Sequence, residues 1–290
     1  MRVLITGAGG QLGRDLVDAF APTHEVVATT RAELDLADRD SVMGAICSAE
    51  PDVVVHAGAW TSVDACESDP DLAFLVNALG TRHVAAASRI VDAHLCYVST
   101  DYVFDGDAVG PYNEWATPIP RSVYGASKLA GEREVAALCP GSTIVRTSWV
   151  VSAHGRNFLT TMLRLAAERD ELKVVNDQRG CPTFTGDLAS LIRRLAIGRF
   201  AGVYHASNQG VTTWFSFARA ILAAAGDDPA KVRQITTAEF AAPAPRPRNS
   251  ILDNLALRAS GIPLLPHWEH TLPSVVQAAV ADRALAKEAV

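Results

Sequence analysis

Short runs of branched aliphatic residues alternate with amphipathic stretches through the first half of the chain. Residues 2–6, 25–30, 53–56, 95–99 and 142–146 are apolar runs rich in Val, Ile and Leu, the composition of strands buried on both faces. Between them, residues 12–21, 39–49, a long span around 69–92 and roughly 123–138 carry helical spacing. Strand then helix, repeated at this interval, predicts an α/β fold with a parallel sheet covered by helices on both faces. Ligands of such sheets collect beyond the carboxyl ends of the strands. The segments at those ends are 7–13, 57–64, 100–104 and 147–149, four loops expected to line one edge.

After Trp149 the alternation weakens. Helical patterns remain at 158–168, 185–197 and 215–225, a short strand is expected at 172–175, and 203–206 has the composition to return to the main sheet. Residues 241–250, Ala-Ala-Pro-Ala-Pro-Arg-Pro-Arg-Asn-Ser, cannot form a regular helix or central strand, because proline has no N–H and restricts the residue before it. They read as a stiff surface connector, since apolar periodicity resumes at 251–257. The expected division is a main domain over 1–150 and a smaller C-terminal lobe over 151–290, with segments of the lobe returning to the main sheet.

With 290 residues, 49% of them hydrophobic, the chain can bury a large core. A net charge of −6 without a long basic run gives no general attraction to nucleic acid or to an anionic membrane. The N-terminus enters a strand directly and no stretch reaches membrane-spanning length, so a cytoplasmic location is expected. Cys47, Cys66, Cys96, Cys139 and Cys181 are scattered without close pairs, which predicts ordinary free thiols.

The loop after the first strand carries specific chemistry. Gly7, Gly10 and Gly13, with Gln11 and Leu12 between them, open the first helix. Lack of side chains permits a tight turn, close passage of a pyrophosphate and close helix-to-strand packing, while the helix's first amides face the phosphates. This makes the sheet Rossmann-type and the ligand a dinucleotide. Strand two ends Ala28-Thr29-Thr30-Arg31, with no acid to bind an adenosine ribose; Arg31 can pair with a 2′-phosphate instead, which favours NADPH while leaving NADH usable. Asp35 and Leu36 can flank the adenine, Asp35 being as well suited to capping a turn, and Ala57, Ala59 and Thr61 extend the cofactor-contacting set.

Tyr124 and Lys128 stand four residues apart, on one face of a helix. An ammonium there can lower the phenol's pKa, letting Tyr124 deliver a proton while Lys128 holds the nicotinamide ribose. Thr100 supplies a hydroxyl to the substrate oxygen, and a nicotinamide would carry the hydride to a carbonyl. Trp149 can wall off sugar or nicotinamide, or serve in the core. Arg246 and Arg248, bracketed by prolines, can face a diphosphate or simply keep a surface connector polar. His154 and His205 show no metal-ligand pattern.

With these residues in hand, the chain resembles the extended short-chain dehydrogenase/reductase superfamily and, more narrowly, the dTDP-4-dehydrorhamnose reductase family. The resemblance rests on Gly10-Gln11-Leu12-Gly13, Asp35-Leu36, Ala59-Trp60-Thr61-Ser62-Val63-Asp64, Ser99-Thr100-Asp101-Tyr102-Val103-Phe104, Tyr124-Gly125-x-x-Lys128, Arg146-Thr147-Ser148-Trp149, Gly180-Cys181-Pro182-Thr183, Arg246-Pro247-Arg248-Asn249-Ser250 and Leu252-Asp253. It implies a catalytic set of Thr100, Tyr124 and Lys128, a sugar-contacting Asp101, a substrate-pocket Trp149, and a nucleotide sugar bound by the C-terminal lobe. The implied reaction is reduction of the C4 ketone of dTDP-4-dehydro-β-L-rhamnose, in the supply of rhamnose for cell-surface polysaccharide. Some members dimerise around magnesium held by acids; Asp15 and Asp187 match part of that site without completing a ligand set, so Mg2+ and the choice between monomer and homodimer stay open.

Four other readings share much of this sequence. A nucleotide-sugar dehydratase resembles Thr-Asp-Glu at its reacting loop, whereas this chain has Thr100-Asp101-Tyr102 and lacks the second carboxylate. An epimerase, or a reductase of a different 4-keto sugar, would share the residues. A non-catalytic nucleotide-sensing subunit on the same scaffold would have little use for an intact Thr100, Tyr124 and Lys128.

Overall fold

The computed structural model describes residues 1–288, with side chains through Arg283. Its centre is a six-stranded sheet of β1 (Arg2–Thr6), β2 (Glu25–Thr29), β3 (Val53–His56), β4 (His94–Thr100), β5 (Thr143–Thr147) and β6 (Gly202–His205). The order is β6-β5-β4-β3-β1-β2 and every pairing is parallel. Strand order reverses at β1, between β2 and β3, which opens the crevice where doubly wound sheets bind ligands.

Alternation along the strands assigns the two faces. Val3, Ile5, Val53 and Val55 point into one core with Leu12, Leu16 and Phe20 of α1 (Gln11–Phe20) and Leu188, Ile192 and Leu195 of the later helix Thr185–Ile197. Leu4, Val54, Leu95 and Tyr97 point into the other, against α2 (Arg39–Ala49), α3 (Gly80–Ile90) and α4 (Val123–Leu138). A third core gathers Leu159, Leu163, Phe184, Phe217, Ile221, Trp268 and Val276 in the C-terminal half.

Several elements differ from the periodicity. The span expected as one helix around 69–92 is broken. Asp69 caps Leu72 N at 3.0 Å and Pro70 starts a new turn; a π-helical turn, Leu75–Leu79, then feeds α3. This detour turns the Asn77 side chain inward, fully buried. The helices Val63–Ser68, Leu255–Ala259 and Trp268–Glu288 and the strand Val232–Ile235, which pairs with Leu172–Val175, were not anticipated. The proline-rich connector is docked along its length: Asn249 N donates to Gly106 O at 3.0 Å, and Arg179 N to Arg248 O at 2.8 Å.

Helix α4 packs closely on β4 and the turns beside it, and two glycines allow it. A Cβ on Gly125 would overlap the Tyr102 carbonyl, and one on Gly131 would sit 2.5 Å from the Tyr97 hydroxyl and 2.6 Å from Asn77 O. Gly131→Ala sets a helix-propensity gain of about 1 kcal/mol against an overlap costing about 1–3 kcal/mol or more. Both opposing atoms are buried, so the overlap should win: urea denaturation is expected to show a net loss of stability, and a gain would contradict this packing.

Candidate active site

The carboxyl ends of the strands enclose a cleft of about 570 Å³. Its wall includes Gly7, Gly10, Gln11, Leu12, Gly13, Thr30, Arg31, Ala57, Ala59, Thr61, Thr100, Asp101, Tyr124, Lys128 and Trp149. Asp35 and Leu36 are not part of that wall. The Asp35 carboxylate accepts from Ala37 N at 3.0 Å and lies 3.5 Å from Arg31 Nε, and Leu36 packs beneath Gly58.

The glycine turn is shaped by contact with its neighbours. Gly7 adopts φ +69°, and a Cβ there would lie 2.8 Å from Gly58 Cα on the loop after β3; one on Gly13 would overlap the Gly7 carbonyl. No side chain caps the start of α1, so its first amides stay free for an anion.

The loop after β3 is fixed by a buried chain of hydrogen bonds with one direction. Gly58 N donates to Thr6 Oγ1 (3.1 Å), which lies 2.7 Å from His56 Nδ1; His56 Nε2 lies 3.1 Å from Thr81 Oγ1, and that hydroxyl donates to Asn77 O (2.7 Å). Thr81 spends its proton on Asn77, so it accepts from His56 Nε2–H, and Nδ1 accepts from Thr6. Burial, with the Lys128 charge nearby, lowers His56 to about 3 and keeps it neutral. Asn77 itself clasps Trp60, accepting from its N–H (2.8 Å) and donating to its carbonyl (3.1 Å). Its Nδ2 also donates to Ser127 Oγ, which donates to Tyr124 O. One side chain thereby ties the loop after β3 to α4.

Along α4, Ser122 caps Gly125 N at 3.1 Å, and Tyr124 and Lys128 turn toward the cleft although both are buried. Lys128 Nζ donates to Val98 O at 2.8 Å and lies 4.2 Å above the Tyr97 ring. The electrostatics depart from the sequence expectation. Burial, and then the Asp101 charge, hold the Tyr124 phenol well above its usual range, with Thr100 opposing weakly. Lys128 is lowered to about 7 by its own desolvation, which Glu132 partly offsets. Dehydration thus outweighs the ammonium's pull on the phenol.

Thr100 Oγ1 donates to Asp101 Oδ1 at 3.0 Å and accepts from Tyr102 N at 3.2 Å. Burial raises Asp101 to about 6, opposed by the Ser250 and Thr100 hydroxyls beside it. Trp149 adopts a left-handed conformation, φ +47°, and its indole stacks on Trp214 at 3.6 Å between centroids; a Cβ on Gly180 would overlap the indole.

Residues 1–281 match the family model described as RmlD substrate binding domain. The chain is 45% identical to dTDP-4-dehydrorhamnose reductase of Streptomyces griseus over 93% of its length and 91% of that protein. It is 41% identical to dTDP-4-keto-6-deoxy-D-glucose reductase of Streptomyces niveus, over 97% and 98%. The crystal structure of dTDP-4-dehydrorhamnose reductase from Bacillus anthracis in complex with NADP superposes with a TM-score of 0.92 at 41% identity, covering 94% of this chain and 98% of that one.

The chain belongs to the dTDP-4-dehydrorhamnose reductase family.

Against the family pattern, the remaining sequence-marked residues fall at the periphery. Arg246 Nη2 donates to Asp64 at 2.7 Å and Nη1 to the Tyr102 hydroxyl at 3.3 Å, and the exposed Arg248 lines an adjoining cavity of about 130 Å³ with Arg121, Asp105 and Asp107. Asp187 accepts from Asn208 Nδ2 (2.7 Å) and Thr271 Oγ1 (2.9 Å), and the described residues hold no cluster of three His, Cys, Asp or Glu able to take a metal. Asp15 and Asp187 therefore do not fit a magnesium site within one chain. Cys181 is buried, its thiol pushed up to about 12 as it donates to Asn208 O. His205 is likewise buried, lowered by burial to about 3. No described helix is long and apolar enough to cross a membrane.

His56, Asn77, Glu132 and Trp214 carried no role in the sequence reading. Three of them carry a signal in the sequence, a histidine closing an apolar run, an asparagine inside a helical pattern and a carboxylate one turn beyond Lys128, whereas Trp214 carries none. Gly13→Ala should open the turn and raise the dissociation constant for NADPH at least about tenfold, equivalent to about 1.4 kcal/mol. Fluorescence titration beside a melting curve checks this, and unchanged affinity in a folded variant would contradict the assignment of the turn.

Proposed function

We propose that this chain reduces the C4 ketone of dTDP-4-dehydro-β-L-rhamnose to dTDP-L-rhamnose with NADPH. The observation carrying this reading is the convergence of Thr100, Tyr124 and Lys128 on the cleft that begins at Gly7–Gly13, in a chain of this reductase family. NADP accompanies the Bacillus anthracis relative. Here Gly7, Gly10, Gly13 and the free amides of α1 would receive the pyrophosphate, and Arg31, 83% exposed, would turn from Asp35 to a 2′-phosphate. The bound cofactor supplies a hydride to the substrate carbon.

The protein's part is proton delivery and orientation. Burial keeps Tyr124 protonated at neutral pH, the form a reductase needs at the start of turnover, and its hydroxyl gives that proton to the C4 oxygen. Lys128 would hold the ribose hydroxyls and, when charged, stabilise the tyrosinate left behind. Thr100 would share the carbonyl oxygen, while Asp101, which lines the cleft, would take a sugar hydroxyl. The Trp149–Trp214 stack offers an apolar wall, and Arg246 with Arg248 marks the path toward the diphosphate.

Tyr102 argues against elimination. It occupies the position of the dehydratase carboxylate and packs edge-on to Tyr124 at 5.6 Å, held by Arg246, so it supplies no second carboxylate acid or base. A reductase of another 4-keto sugar is the second reading, favoured by the similarity to the Streptomyces niveus protein.

The test is NADPH oxidation with dTDP-4-dehydrorhamnose, followed by assignment of the product's C4 configuration. Stoichiometric loss of NADPH with dTDP-L-rhamnose formed is expected. A tightly retained oxidised cofactor and no net consumption would indicate an epimerase. Tyr124→Phe should lower kcat by about 10²–10⁴ with cofactor affinity largely kept, whereas Lys128→Ala should impair both; unchanged turnover in Tyr124→Phe would reject the proton donor.

A further inference from the structure

Lys128 is enclosed by groups from several elements. Its own helix presents Tyr124 one turn before and Glu132 one turn after. Strand β4 presents the Val98 carbonyl and the Tyr97 ring, β3 presents His56, and β5 presents Arg146, paired with Glu132. Burial keeps Tyr124, Tyr97 and His56 uncharged, and Asp101 acts on Tyr124 from the end of β4. Among these groups the carboxylate that opposes the desolvation of Lys128 is Glu132.

Glu132 is held with little freedom. Arg146 Nε and Nη2 donate to its two oxygens at 2.9 and 2.7 Å, and Ser99 Oγ donates at 2.6 Å. The carboxylate and guanidinium side chains are only 6% and 5% exposed, and Arg146 lies against the Phe104 ring at 5.2 Å. An ion pair buried this deeply gains little net stability, because desolvating both charges offsets their attraction. Its placement gives it another use: Ser99 and Lys128 both line the cleft, so the clamp reaches the cofactor site from behind.

We propose that Glu132, aimed by Arg146 and Ser99 and set one helical turn along α4 from Lys128, is a positioning residue that holds Lys128 in its charged form within the cofactor cleft. The proposal rests on the reading that Lys128 serves a nicotinamide cofactor. Burial alone would leave an uncharged amine, which could neither anchor ribose hydroxyls as a cation nor stabilise a tyrosinate.

The experiment follows NADPH binding by fluorescence from pH 5.5 to 9, and kcat/KM over the same range. It compares the wild type, Glu132→Gln, Glu132→Asp and the double variant Glu132→Gln/Arg146→Met. In the wild type, affinity should fall as pH rises through about 7, where Lys128 loses its proton. In Glu132→Gln this alkaline limb should move about one pH unit toward acid, the effect of losing one nearby opposite charge, while affinity at pH 5.5 stays within about twofold. Glu132→Asp should restore the limb. The double variant leaves no unpaired buried guanidinium, and must show the displaced limb if Glu132→Gln does not fold. A wild-type limb in either folded Gln variant, or no limb in any protein, overturns the proposal and leaves Glu132 a packing residue. Failure of the wild type to reduce the 4-keto sugar would instead reject the functional reading, and the NADPH-binding limb would still decide the role of Glu132.

Discussion

The close seating of α4 on β4 is the constraint from which the site follows. Gly125 and Gly131, on either side of Lys128, leave out side chains that would meet the Tyr102 carbonyl in the turn after β4 and the Tyr97 hydroxyl of β4 with the Asn77 carbonyl. The helix then drops far enough for Lys128 to reach Val98 O and for Tyr124 to sit beside Thr100. Asn77 and the Glu132–Arg146–Ser99 clamp lock that position from two directions, one through the loop after β3 and the other through β4 and β5.

Close seating also excludes water, and dehydration sets the site's charge states. It leaves a protonated phenol, a lysine near its midpoint and a carboxyl raised to about 6 in one wall. A reductase starts by giving up a proton, so a phenol held above its ordinary range is suited to the direction of reaction. Most of the positive charge needed to stabilise the resulting tyrosinate must then be maintained against burial, which is why a carboxylate one turn along the helix matters more here than it would on a solvated surface.

Much of this was legible in the sequence because it depends on local chemistry. The parallel sheet follows from strand and helix periodicity, the glycine turn from its spacing, and the Tyr124–Lys128 pair from a four-residue interval. What was not legible depends on long-range packing. The helix break at Asp69–Pro70 and the inward Asn77 arise from a π-helical turn that periodicity averages away. Trp149 shows its partner Trp214 only after the chain has folded back. The sign of the phenol's shift was misjudged for a related reason: an interval of four places a charge nearby, but burial, which governs the outcome, is a property of the whole fold.

A crystal structure with NADP+ and dTDP-L-rhamnose tests the central claim most directly. The account predicts the Tyr124 hydroxyl within about 3.2 Å of the sugar's C4 oxygen, with Lys128 on the nicotinamide ribose and α4 unmoved against β4. A C4 oxygen bound elsewhere in the cleft, with Tyr124 facing only protein, would contradict it.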